Sequence, residues 1–264
     1  MKDLTAITDN IHRLVIPFID IFTTVYVIKT DSGALLFDTA TYPEDADNYI
    51  IPALNELGVT PSDLKYIMIS HEHRDHAGSL ERLMESYPES TIVSRSAKLR
   101  DKYSAYNTIA PEDGDTLLDV LKVVTIPGHS SDSMGIIDMR TKTMLTGDSL
   151  QIYGIYGSGA WGSNIGLPVE HLAAIEKLRK LDIDRIEMSH DYHPCGHSAV
   201  GKDEITHCLD KCVESLYTIK SVIESTEETD DEALAKSYNA SSGLPTVSQR
   251  VFAAVRKAAL NGQM

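Results

Sequence analysis

The sequence predicts a mixed α/β protein. Short apolar runs rich in β-branched residues alternate along the chain with longer runs of helical period, and no internal repeat interrupts the alternation. Its 264 residues, 42% of them hydrophobic, suit one large globular domain spanning 1–264, with a helical C-terminal extension from about residue 200.

Leu14–Pro17, Thr23–Lys29 and Ala34–Phe37 read as N-terminal strands, the last two joined by a turn at Thr30–Gly33. Glu44–Leu57 has Ile50, Ile51, Leu54 and Leu57 at helical spacing and is closed by Gly58. Pro52 inside it predicts a kink or a fresh start. Tyr66–Ile69 is a strand and Leu80–Ser86 a helix. Further strands are expected at Thr91–Val93, Leu121–Ile126, Met134–Ile137, Thr143–Leu145 and Ile183–Ser189. Val169–Lys180 is a helix with Leu172, Ile175 and Leu178 on one side. Glu204–Ser225 and Thr246–Leu260 read as helices separated by Ser241–Pro245, and the acidic run Glu224–Glu232 as a solvated loop or helix end. Val247, Val251, Ala254, Val255 and Ala258 form an apolar stripe, which suits packing on its own domain, a homodimer contact or a cover over a cleft.

Between the strand at Tyr66–Ile69 and the helix at Leu80 lies Ser70-His71-Glu72-His73-Arg74-Asp75-His76-Ala77-Gly78. Side chains alternate in direction along an extended segment, so His71 and His73 can point the same way. Asp75 and His76 follow where a turn can swing them toward a second position. Imidazole and carboxylate suit zinc, iron or manganese, so one loop can begin two adjacent metal sites.

His71-x-His73-x-Asp75-His76 resembles the signature of the metallo-β-lactamase-fold superfamily, in its lactonase and glyoxalase II-like branch. That resemblance implies further ligands in a fixed order. A His after Pro-Gly is met by Pro127-Gly128-His129, a strand-end Gly-Asp by Gly147-Asp148, and a strand-closing His by His190, with His193 and His197 close behind it. It also implies the fold, an αββα sandwich of two mixed β-sheets flanked by helices. His71, His73 and His129 would hold one divalent ion, and Asp75, His76 and His190 the other, with Asp148 bridging. The ions would be two zinc, with iron or manganese as alternatives. A water shared by two such ions acts as a hydroxide nucleophile near neutral pH. The implied activity is hydrolysis of an ester, lactone or thioester of a small molecule. A mononuclear iron oxygenase and a β-lactamase are the alternatives.

Asp38 ends the run Leu35–Phe37, either to orient a ligand His or to cap a turn. The stretch Gln151–Gly162 follows Asp148, is rich in Gly and aromatics, and contains Trp161, the only Trp. It is expected to line the cleft, its glycines giving mobility. Tyr153 and Tyr156 would stabilise an oxyanion or donate a proton, or simply pack the loop. Ser130, Ser131 and Ser133 read as turn hydroxyls.

The formal charge of −15, without a basic stripe, argues against nucleic acid as partner. The polar Met1–Asn10 segment and the lack of any membrane-length apolar run point to a cytoplasmic protein. Cys195, Cys208 and Cys212 suit a reducing compartment, the last two sharing a helix face.

Overall fold

The computed structural model describes residues 4–156 and 160–264. They fall into two compact units: residues up to Thr125 with Met134–Thr141, and Ile126–Ser133 with Lys142–Met264.

The first unit is built on a seven-stranded sheet whose strands lie side by side in chain order: β1 (Leu4–Ala6), β2 (Ile11–Phe18), β3 (Ile21–Thr30), β4 (Gly33–Phe37), β5 (Leu64–Met68), β6 (Thr91–Val93) and β7 (Thr108–Ile109). β1 to β4 pair antiparallel and β4 to β7 parallel. Parallel neighbours need crossovers, which helices supply. α1 (Pro43–Asp45), a π-helical turn (Ala46–Ile50) and α2 (Ile51–Glu56) join β4 to β5. α3 (Arg74–Ala77) and α4 (Leu80–Ser86) join β5 to β6, and α5 (Ala97–Lys102) leads to β7. Pro52 lies in the first turn of α2, which follows the π-helical turn with no break in helical backbone, Ile50 and Ile51 both being right-handed helical and Ile51 N–H bonding to the Ala46 carbonyl five residues back. Ile50, Leu54, Leu64, Ile67 and Leu83 share one buried apolar cluster. The unit also holds an antiparallel ladder of β8 (Thr116–Leu117), β9 (Leu121–Thr125) and β10 (Met134–Asp138).

In the second unit β11 (Thr143–Leu145) runs parallel to β12 (Arg185–Tyr192), with α6 (Pro168–Leu178) between them in sequence, and β13 (Gly196–Val200) pairs antiparallel to β12. Three helices follow: α7 (Gly201–Glu224), α8 (Asp231–Ser242) and α9 (Gln249–Leu260). Leu216, Ile219 and Ile223 of α7, Leu234 and Tyr238 of α8, and Val251, Phe252 and Val255 of α9 share a buried cluster. The expected apolar stripe therefore packs on its own unit, with Phe252 taking the place foreseen for Ala254.

The acidic run is solvated and lies at helix ends: it starts at the last residue of α7, is exposed through 224–230, and ends where Asp230 caps α8 by accepting a bond from Glu232 N–H. α8 itself escapes the sequence pattern because only Leu234, Ala235 and Tyr238 of its twelve residues are buried. One expectation needs correction: His190 does not follow a strand that ends at Ser189, since β12 continues through it to Tyr192. Among the described residues no helix is long and apolar enough to cross a membrane.

Candidate metal centre

In the first unit the donors stand where β5 gives way to α3. His71 and His76 are buried and His73 is exposed. His71 Nε2 and His73 Nδ1 approach to 2.9 Å, and His76 Nε2 lies 3.5 Å from Asp75 Oδ2. His73 caps α3, its carbonyl accepting from the amides of His76 and Ala77, so Asp75 and His76 sit in a helical turn rather than an open one.

Asp38 orients this loop. Fully buried at the end of β4, it accepts from Ser70 N–H at 2.7 Å and from Ser70 Oγ at 2.8 Å. Its Oδ2 is also 2.8 Å from His76 Nδ1. A carboxylate there holds the proton on Nδ1 and leaves the Nε2 lone pair free to bind a metal. Burial holds the Asp38 carboxyl above its ordinary range, against the pull of His76 and of the Ser70 bonds. Of the two roles open in the sequence, the structure thus places Asp38 on His76, a candidate ligand. Its backbone is left-handed (φ 63°), a conformation Asp tolerates better than most residues. Downstream, Gly78 lets the chain pass under Thr41, since a Cβ there would stand 1.9 Å from the Thr41 carbonyl oxygen. Glu72 turns away from the donors to Ser96 Oγ, at 2.6 Å.

The second unit gathers its own three donors. His190 Nε2 is 3.2 Å from Asp148 Oδ1, and His129 Nε2 is 3.7 Å from Asp148 Oδ2. All three side chains are buried. His129 Nδ1 donates to the Asn164 carbonyl at 2.8 Å, which turns Nε2 toward Asp148. Gly128 (φ 156°) precedes His129 so closely under α6 that a Cβ would lie 2.8 Å from His171 Cα. His171 itself is fully buried with neither ring nitrogen hydrogen-bonded, and burial pushes its pKa down to about 4.

Sequence reasoning missed Gln151 and Asn164. The Gln151 side chain donates to the Asp148 carbonyl at 2.8 Å and to Tyr192 Oη at 3.2 Å, and accepts from Asn164 N–H at 2.7 Å. Nothing in the sequence marks them, because Asn164 acts through backbone atoms that any residue carries and the Gln151 amide is spent largely on backbone groups. Ser130 and Ser133 bond to each other at 2.7 Å within the His129 loop, as turn hydroxyls would.

His193 stands apart from the second unit's donors. Its ring meets Tyr156 edge-on at 4.8 Å, with Tyr153 at 6.2 Å. The Tyr153 hydroxyl donates to Glu214 of α7 at 2.5 Å, and burial followed by Glu214 pushes its pKa up. Tyr156 is 44% exposed. The expected mobility of the glycines here is corrected. Gly154 and Gly162 are close-approach positions, where a Cβ would meet the Trp161 and Thr246 carbonyl oxygens at 2.4 Å in each case. Gly157 and Gly159 of this stretch lie outside the described residues. The Cys195 thiol lies against Cys208, while Cys208 and Cys212 are buried on α7.

Each unit therefore presents imidazole nitrogens and carboxylate oxygens within a few ångströms, and in each a histidine has its outer nitrogen bound to an acceptor. Such donor sets fit a divalent metal of the zinc, iron or manganese kind.

The comparisons with known proteins agree with this chemistry. Residues 19–190 match the family model of the metallo-beta-lactamase superfamily. The hydroxyacylglutathione hydrolase of Prochlorococcus marinus (strain NATL1A) is 27% identical over 137 residues, 49% of this chain and 52% of the relative. The atrochrysone carboxyl ACP thioesterase of Claviceps purpurea (strain 20.1) is 25% identical over 134 residues, 50% and 41% respectively. The chain thus spans about half the length of the curated relatives it matches. A metallo-beta-lactamase family protein from Thermus thermophilus shares the fold, with a TM-score of 0.68 over 97% of this chain and 95% of that one at 16% identity. Two mixed β-sheets flanked by helices, and a family match running through most of the chain, lead to one conclusion: it belongs to the metallo-beta-lactamase superfamily.

Proposed function

We propose that this protein is a dinuclear metal-dependent hydrolase that cleaves an ester, lactone or thioester of a small molecule. The observation that carries the reading is the doubled donor chemistry, His71 with His73 and Asp75 with His76 in one unit, His129 and His190 around Asp148 in the other. His71, His73 and His129 would hold one divalent ion, and Asp75, His76 and His190 the second, with Asp148 shared. Bound there, the pair supplies a water acidified toward neutrality and an electrophile for the acyl oxygen. Asp38 and the Asn164 carbonyl keep the ligating nitrogens of His76 and His129 free of protons. Asp75 accepts a proton from the attacking water through a carboxylate oxygen. Tyr156 donates one to the leaving oxygen or sulfur, whereas the Tyr153 hydroxyl is engaged by Glu214. No Ser or Cys nucleophile is required. The names of two relatives, a hydroxyacylglutathione hydrolase and an ACP thioesterase, favour a thioester among the three substrate classes. The net charge of −15 disfavours a strongly anionic one.

The test is elemental analysis of the protein purified without added metal or chelator, followed by assays on lactones, thioesters and esters. Two zinc per chain and turnover of one class are expected, and Asp148→Ala should lose metal and turnover together. A single iron per chain, or full turnover by Asp148→Ala, would overturn the dinuclear reading.

A further inference from the structure

We propose that Gln151 is a positioning residue that holds the second unit's metal donors in register through two backbone groups and a tyrosine hydroxyl at once. The inference rests on the dinuclear reading and deepens it, assigning a determinant of metal affinity to a side chain that touches no metal.

Gln151 is 3% exposed, and its amide orientation is fixed by its partners. The Asp148 carbonyl can only accept, so it faces Nε2; the Asn164 N–H can only donate, so it faces Oε1. The remaining Nε2 proton points at Tyr192 Oη. From each contact a ligand is one step away. Asp148 is itself a donor, and its carbonyl is the one Gln151 holds. Asn164 turns its own carbonyl to His129 Nδ1 at 2.8 Å, which sets that ring's tautomer and direction. Tyr192 lies two residues beyond His190 on β12, its ring 5.9 Å from that imidazole. One buried amide therefore spans the strand-end turn carrying Asp148, the loop that orients His129, and the strand carrying His190.

The alternatives at this position are chemically distinct. Glutamate has the same shape but no N–H, so it would set a carboxylate against the Asp148 carbonyl. Leucine fills the space and leaves the Asp148 carbonyl and the Asn164 N–H without the amide. Either change lets the Asn164 carbonyl turn away from His129 while every ligand residue stays in place. Partners of this kind, when removed, typically lower metal affinity about 10–100-fold.

The experiment is cobalt and zinc titration of apo wild-type, Gln151→Glu and Gln151→Leu, with a competing chelator to resolve the two binding steps and the cobalt absorption spectrum as a readout independent of turnover. A drop of about 10–100-fold in at least one step, with an altered cobalt spectrum and a retained circular dichroism signature, is expected for both variants. Two wild-type binding steps and an unchanged spectrum in either folded variant would overturn the proposal and leave the dinuclear reading standing. A wild type that takes up no second metal would sink both. Should both variants fail to fold, hydrogen exchange on the wild type decides. The Gln151 side-chain amide protons must exchange far more slowly than those of exposed amides, and fast exchange would refute the clamp.

Discussion

Replacing Asp38 by asparagine separates what this side chain does for a metal ligand from what it does for the fold. Asparagine keeps an oxygen for Ser70 N–H, and it is among the few residues that accept the left-handed backbone at φ 63°. The bond from Ser70 N falls from charge-assisted to neutral strength, and the Ser70 Oγ bond reverses, the hydroxyl now accepting from the asparagine Nδ2, a loss of roughly 1 kcal/mol each. Part of that is offset because a buried carboxylate, whose pKa burial already raises, is no longer present. A net loss of about 1–2 kcal/mol follows. The effect on His76 is of another kind. The asparagine Nδ2 is a donor, so at 2.8 Å it pairs with a lone pair on His76 Nδ1 and moves the ring proton to Nε2, the nitrogen a metal needs. Zinc affinity at that position should fall about 10–100-fold while the apo protein melts within several degrees of wild type. Calorimetric titration of the apo protein with zinc, beside a thermal melt, reads both quantities. Asp38→Ala, by contrast, strips the acceptor from three buried groups at about 1–3 kcal/mol each and should fold poorly. Wild-type zinc affinity at both positions in Asp38→Asn would refute the tautomer argument.

Three further outcomes are expected. His171, held near pKa 4 by burial, stays neutral in the fold while its unfolded counterpart takes up a proton below about pH 6.5. Its contribution to stability is therefore intact above that value and is lost as pH falls toward 4, by about 3 kcal/mol in total. Urea unfolding of His171→Leu across this range should show a flatter acid limb, and an unchanged limb would refute it. Gly78→Ala drives a Cβ to 1.9 Å from the Thr41 carbonyl, so the backbone under the first donor loop must shift; a melting temperature within about two degrees of wild type would contradict the close approach. His190→Ala should lower metal content and His193→Ala leave it intact, as read by elemental analysis, and the reverse pattern would make His193 the donor in place of His190.

The donor residues are legible in the sequence because coordination demands side chains that few other roles explain when crowded together. His71, His73, Asp75 and His76 sit within six residues after a recognisable strand, and Asp148 and His190 each lie at or near the end of one. Asp38 is half legible: a carboxylate closing an apolar strand is visible, whereas its reach across 38 residues to His76 is not. Gln151 and Asn164 are hidden for a different reason, since amide-to-backbone bonds leave no residue pattern behind. The glycines of the aromatic stretch mislead, because a residue lacking a Cβ looks the same whether it frees the chain or lets another backbone crowd in, and Gly154 and Gly162 do the second. Helix α8 is missed for want of apolar residues, its register being set instead by the Asp230 cap and by packing against α7 and α9.

The seating of Gly162 against Thr246 carries a consequence for how such a protein changes over generations. Gly162 N–H donates to the Thr246 carbonyl at 3.0 Å, and the neighbouring Val247 belongs to the cluster that binds α7, α8 and α9 together. The stretch bearing Trp161 is thus moored to the helical tail through a backbone contact. A substitution that tilts α8 or α9 would move this mooring and re-aim the aromatic stretch with every donor residue untouched. Drift in the tail, remote in sequence from the candidate donors, thereby becomes a route by which the placement of the aromatic stretch can change while the donor set stays intact.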